Sequence, residues 1–344
     1  MDLYETLNRL CATTGPSGFE EMTAQTAKAL LEPLMDQVSI DRMGNVIGVK
    51  RCGKPGAKKL LLDAHLDEIG LIVTGIEEGF LRFAPIGGVD PRMLPARELT
   101  VLTDPPLFGV VATLPPHVQA SGDSDKSIPI EDLRVDIGMT QEEAERAVPV
   151  GTPMVYHASS FRLANGQVCG KSLDDRSCFT ILLRTAELLR ERDLDVDLYI
   201  MGSTQEEVTS SGAVTGANSV HPDWCVAVDV THGNTPGVSL DKAPRKVSAG
   251  PAIGIGPNMT RSLTDRAVRK ARELDIPYQM EVIEGHSGTN GWQMQTCLEG
   301  IPTLVVSLAL KYMHSPIEVI DLADVENIAR LLAAFVQDIG KEEG

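Results

Sequence analysis

The stretch KKLLLDAHLDEIG (58–70) runs from two lysines through an unbroken apolar core, Leu60–Leu62, into an acidic end that carries His65 and Asp67. An apolar run without polar alternation suits a strand covered on both faces, the situation of parallel sheets flanked by helices. Downstream of Gly170 the pattern repeats: a helix from Asp175 to Arg190, the strand VDLYIMGS (196–203), a short helix after Ser211, the strand WCVAVDV (224–230) and PAIGIG (251–256). Two further pairs follow, SLTDRAVRKARELD then YQMEVI, and GWQMQTCLEG then PTLVVSLAL, before a last amphipathic helix, ADVENIARLLAAFVQDI (323–339). Alternating helices and strands predict an α/β domain with helices on both faces of its sheet, a three-layer α/β/α arrangement.

Upstream, an amphipathic helix (Leu3, Leu7, Leu10) leads through a GPSG turn to a second helix, near Glu20 to Leu34, that Pro33 helps to end. VSIDRMGNVIGVKR (38–51) reads as two short strands around a Met43-Gly44-Asn45 turn. Between Gly70 and Gly166 the texture changes. Short runs such as LIVTGI, FLRFAPI, LTVLT, FGVVATL, LRVDIG and MVYHAS are punctuated by Gly and Pro, which predicts a small β-rich barrel or sandwich. TQEEAERA is its helical segment, with Thr140 as N-cap. The expected division is therefore a discontinuous α/β unit, 1–69 and 167–344, interrupted by a β-rich unit, 70–166.

The 31 basic and 48 acidic residues give a net charge of −17, which repels phosphate backbones and anionic membrane surfaces. Nucleic acid and membrane are not expected partners. No apolar stretch approaches the roughly 20 residues needed to span a bilayer, and the start, MDLYETLNRLCATTG, has no basic and apolar leader pattern. Six dispersed cysteines, at 11, 52, 169, 178, 225 and 297, form no CxxC pair. A soluble protein of the reducing cytosol is the expectation.

In open α/β sheets ligands bind at the carboxyl ends of strands. His65 and Asp67 end the first buried strand, Glu206 and Glu207 follow VDLYIMGSTQ, and Asp229 ends WCVAVDV. Asp174 and Asp175 open a helix, and His314 follows VVSLALKYM. Two imidazoles with three carboxylates, one of them bridging, form the donor set for a pair of borderline divalent ions such as zinc, cobalt or manganese. In extended chain Glu206 and Glu207 would point to opposite sides, so one can bind metal while the other handles protons. Asp67, two residues beyond His65, would face the same way and accept the imidazole's second N–H.

The motifs DAHLDEIG (63–70), KSLDDRSCF (171–179), STQEEV (203–208), AVDVTHGNTPG (227–237) and KYMHSP (311–316) together resemble those of the M42 family of metallo-aminopeptidases. That family groups tetrahedral aminopeptidases, glutamyl aminopeptidases and proteins labelled endoglucanase M. The resemblance runs along nearly the whole chain. It implies an aminopeptidase with two metal ions, zinc or cobalt first and manganese third, held by His65, Asp174, Glu207, Asp229 and His314. In that pattern Asp174 bridges, Glu206 is the general base and Asp67 supports His65. It also implies homo-oligomers, commonly dodecamers assembled through the β-rich unit, acting on short peptides.

One segment departs from the family pattern. Where a GGTDA-like loop is expected the chain reads HSGTNGWQ (286–293), with Asn290 in the place of Asp and His286 in the place of Gly. His286 and Thr289 are candidates to line the substrate site, and Cys178 is read as core packing. Two alternatives stand beside the peptidase reading. A glycosidase needs paired carboxyls across a sugar and no metal, and a scaffold would keep the fold without its chemistry.

Overall fold

The computed structural model describes residues 1–113, 127–238 and 245–341. Its centre is an eight-stranded sheet in the order Gln37–Ile40, Val46–Lys50, Asp197–Ser203, Lys59–His65, Trp224–His232, Thr303–Leu310, Ala252–Ile255, Gln279–Val282. The four middle strands from Asp197–Ser203 to Thr303–Leu310 run parallel, so their carboxyl ends share one edge. Val46–Lys50 and Ala252–Ile255 join that parallel core antiparallel, an inversion that periodicity does not reveal.

The apolar run of the opening stretch is buried as expected: Leu60, Leu61 and Leu62 are fully covered. On one face Leu60 and Leu62 pack in a large cluster with Leu7, Leu10, Phe179, Leu182, Ile328 and Phe335, which come from the helices Leu3–Cys11, Leu173–Leu189 and Leu322–Ile339. On the other face Leu61 meets Ala213 and Ala217 of Ser211–Val220 and Met294 of Gly291–Met294. Both faces are thus closed by helices, the arrangement that permits a continuous apolar strand. Helix Glu21–Leu31 passes into a 3-10 turn, Glu32–Leu34, that contains Pro33. GWQMQTCLEG forms only one helical turn, Gly291–Met294.

The β-rich stretch is a closed six-stranded barrel, with Gly70–Glu77, Phe80–Ile86, Arg134–Asp136, Leu107–Ala112, Glu98–Val101 and Pro153–Tyr156 in order around it. Leu71, Val73, Leu81, Phe83, Leu99, Val135 and Met154 fill its interior. Among the described residues, closure leaves the barrel itself without an open sheet edge. FGVVATL contributes the strand Leu107–Ala112, and its last residue, 114, lies outside the described residues. Thr140 caps Gln141–Ala147 through a capping box with Glu143.

A three-stranded sheet, Phe161–Arg162, Gln167–Gly170 and Glu318–Asp321, was not foreseen in the sequence. It pairs the segment leading out of the barrel with the segment after His314. Among the described residues no helix is long and apolar enough to cross a membrane.

Candidate metal centre

The candidate ligands converge where the parallel strands end. His65 closes Lys59–His65, Asp229 lies in the carboxyl-terminal half of the strand Trp224–His232, and Glu206 and Glu207 follow Asp197–Ser203. His314 follows Thr303–Leu310, and Asp174 stands at the distorted first turn of Leu173–Leu189. The Asp174 carboxylate lies between the two imidazoles. Its Oδ1 is 3.1 Å from Nε2 of His65, and its Oδ2 is 3.5 Å from Nε2 of His314. Oε2 of Glu207 is 3.4 Å from that same His314 nitrogen, and Oε2 of Glu206 is 3.9 Å from Nε2 of His65. Donor atoms of His65, Asp174 and Glu207 lie within 4.8 Å of one another, and so do those of His65, Asp175 and Asp229.

Asp175 was read from the sequence only as a helix opener. It is fully buried, one of its oxygens accepts the His65 amide at 3.3 Å, and the other has no hydrogen-bond partner among the described residues.

The cluster is electrostatically crowded. Burial, reinforced by neighbouring carboxylates, pushes Asp229, Glu207 and Asp175 well above the usual carboxyl range. Burial also lifts Glu206, to about 7. At Asp174 burial works in the same sense, but hydrogen bonds with His314 and His65 prevail and hold it below the usual range. Both histidines are raised despite burial, through Asp174 above all. Buried carboxylates that repel one another, an orphaned Asp175 oxygen and two imidazoles suit divalent cations, which relieve this repulsion.

One sequence expectation about local geometry needs correction. Glu206 and Glu207 are not in extended chain; they sit in a turn entered through Gln205, whose φ is 59°. The outward alternation of a strand does not apply there. Asp67 lies just beyond the strand, and its carboxylate stands 3.4 Å from the second nitrogen of His65, with its carbonyl at 3.1 Å. The carboxylate also accepts the amides of Glu206 at 3.0 Å and Glu207 at 3.1 Å, and the Ser17 hydroxyl at 2.8 Å.

The centre opens into a cleft of about 400 Å³ whose walls include Val208, Val230, Met313, Gln293 and His286. His286 accepts the Gly288 amide at Nδ1 and stacks on Trp292 at 4.7 Å between ring centroids. Thr289 does not line the cleft. It is buried, and its hydroxyl accepts the Gly291 amide.

Residues 44–331 match the family model described as M42 glutamyl aminopeptidase. The chain belongs to the M42 family. As an M42 chain it is a hydrolase of the peptidase class, with an aminopeptidase's fold and cluster of candidate metal-binding groups. It is 33% identical to the lysyl aminopeptidase of Pyrococcus furiosus over 98% of this chain and 97% of that one. An aminopeptidase of the archaeon Desulfurococcus kamchatkensis superposes with a TM-score of 0.91 at 34% identity, covering 98% of this chain and 94% of that one. Pyrococcus horikoshii TET1 peptidase, which can assemble into a tetrahedron or a large octahedral shell, superposes at 0.86 with 30% identity, over 98% of this chain and all of that one.

Three residues of the M42 centre escaped the sequence reading. Glu318 accepts the amides of Asp174 at 3.1 Å and His314 at 2.9 Å, so one buried carboxylate holds the backbone of both. Gly88, from the barrel, places its carbonyl 2.9 Å from Nδ1 of His314. Glu20 reaches the loop before Glu206. A buried acid after KYMHSP was the only available signal for Glu318; nothing local marks the other two.

Proposed function

We propose that this chain is a dinuclear metal-dependent aminopeptidase that releases N-terminal residues from short peptides. The observation that carries the reading is the Asp174 carboxylate, whose two oxygens face two different imidazoles, His65 and His314. A carboxylate so placed could serve two ions at once, which supports its reading as the bridging ligand. The sets would be His65, Asp174 and Asp229 for one ion and Asp174, Glu207 and His314 for the other, with zinc or cobalt favoured by the mixed nitrogen and oxygen donors and manganese third. Two ions bound there supply Lewis-acid activation of the scissile carbonyl, an anchor for the free α-amine and a more acidic attacking water.

Glu206 does the proton work. Its carboxylate lines the cleft 3.9 Å from Nε2 of His65, beside the candidate ligands, where it can take the proton of the attacking water and return it to the leaving amine. Asp67 holds Glu206 and Glu207 by their backbone amides, which orients base and ligand together.

In this reading 1–69 and 167–344 form the catalytic unit in the cytosol. The chain forms homo-oligomers, as its Pyrococcus horikoshii relative does, and the barrel unit, 70–166, serves their assembly, as the family resemblance implies.

Chelation is expected to abolish release of the first residue from aminoacyl chromogenic substrates, and zinc or cobalt to restore it. Glu206→Gln is expected to keep both metals and lose turnover by roughly 10²-fold or more. Normal turnover by that variant sinks the assignment of the base, and metal-independent activity sinks the dinuclear reading.

A further inference from the structure

Beyond Asp67, the loop that carries the base is held by a second buried acid. Glu20 immediately precedes helix Glu21–Leu31 and is 5% exposed, yet its side chain does not cap that helix. Its Oε1 instead accepts two amides, that of the neighbouring Gly18 at 2.7 Å and that of the distant Gln205 at 3.1 Å. The Gln205 carbonyl in turn accepts the amides of Thr209 at 3.0 Å and Ser210 at 2.7 Å. Gln205 is therefore the pivot of the turn, and its left-handed conformation aims three successive amides, those of 205, 206 and 207, at carboxylates. Glu20 takes the first and Asp67 takes the next two.

The same segment is pinned at its other end. Glu68 donates its amide to the Gly15 carbonyl at 3.0 Å, the Ser17 amide donates to the Glu68 carbonyl at 3.2 Å, and the Ser17 hydroxyl donates to Asp67. The turn at 15–18 is thus locked to the end of the buried strand, and Glu20 reaches out of that lock to Gln205. A left-handed non-glycine residue costs about 1–3 kcal/mol and persists only where its surroundings over-determine it. Buried amides without acceptors add to that cost.

We propose that Glu20 is a positioning residue: by accepting the Gln205 amide it holds the turn in the conformation that presents Glu206 to the cleft. It touches neither substrate nor ion and acts through the backbone of the base. The proposal rests on the assignment of Glu206 as base.

The test uses the metal-loaded protein with Glu20→Ala and Glu20→Gln, and with Glu206→Gln in parallel. Each is measured for kcat and KM on an aminoacyl chromogenic substrate and for bound metal. A turn displaced by about 1 Å can cost roughly 10²-fold in rate. Glu20→Ala is expected to lose kcat on that order with KM within about twofold and both metals retained. Glu20→Gln, whose amide oxygen can accept the same two N–H groups, is expected to recover most of it.

The proposal is overturned if Glu20→Ala keeps kcat within about twofold of the parent, if its kcat falls only in step with lost metal or folded fraction, or if Glu20→Gln is as slow as Glu20→Ala. Should Glu20→Ala not fold, Glu20→Asp, one methylene short of Gln205, is read by the same split between kcat and KM. Parent-like turnover by Glu206→Gln removes the base assignment and this proposal with it. A crippled Glu206→Gln beside an unaffected Glu20→Ala removes this proposal alone.

Discussion

The carbonyl oxygen of Gly88 lies 2.9 Å from Nδ1 of His314, a contact between residues 226 positions apart that ties the barrel to the candidate metal cluster. It fixes the ring so that Nε2 faces Asp174 and Glu207. A hydrogen bond of this kind selects the tautomer and orientation of a ligating imidazole.

Only glycine fits at that position. A Cβ on residue 88 would stand 2.6 Å from Nδ1 of His314. Gly88→Ala is therefore expected to push the ring away and lower metal retention or peptide release by about 10–100-fold while the fold is kept. Metal content by elemental analysis, alongside far-UV circular dichroism, checks this. Full metal occupancy with normal turnover would show that the barrel does not help shape the centre.

The departure at residue 290 has a local explanation. Asn290 donates from Nδ2 to Oδ2 of Asp63 at 2.8 Å and to the Ser203 hydroxyl at 2.9 Å, with Asp63 and Asn290 both almost fully buried. The amide is the donor that a buried Asp63 needs. Asn290→Asp, which restores the family's expected residue, would set two buried carboxylates against each other. A loss of about 3 kcal/mol or more is expected at neutral pH. Urea unfolding of the metal-loaded protein measures it, and a variant as stable as the parent would mean that Asp63 finds another partner.

What was legible in the sequence is what local chemistry marks. The apolar run of Leu60–Leu62 placed His65 at a strand end, and WCVAVDV placed Asp229 beside it, because burial on both faces leaves its trace in consecutive residues. Thr140 announced its helix too, because N-cap chemistry is equally local. Gly88 and Glu20 left no such trace. Their partners, His314 and Gln205, are 226 and 185 residues away, and only the completed fold brings them together. The turn at Glu206 and Glu207 was misread as extended because Gln205 adopts a left-handed conformation that its residue type does not advertise. The antiparallel insertion of Ala252–Ile255 and the short sheet built on Glu318–Asp321 are likewise choices of topology rather than of pattern.

Behind Asp67, Glu68 carries a buried charge network. Its carboxylate accepts from Lys171 Nζ at 2.7 and 3.0 Å, from Arg176 Nη2 at 3.0 Å and from the Gly15 amide at 3.2 Å, and all three charged groups are buried. Burial alone would raise the Glu68 carboxyl, but Lys171 and Arg176 outweigh it and hold the group below the usual range. Removing the acid leaves two buried cations, so Glu68→Ala is expected to cost about 3–5 kcal/mol at neutral pH. The pH dependence follows from the direction of the shift. A depressed folded-state value means that the unfolded chain takes up the proton first on acidification. The stability due to Glu68 is then complete above the ordinary glutamate range and disappears as pH falls through the folded-state value. The gap between parent and Glu68→Ala in urea unfolding should accordingly be widest near pH 7 and narrow on acidification. A gap that held constant or widened toward low pH would mean that the network contributes through packing rather than through the Glu68 charge.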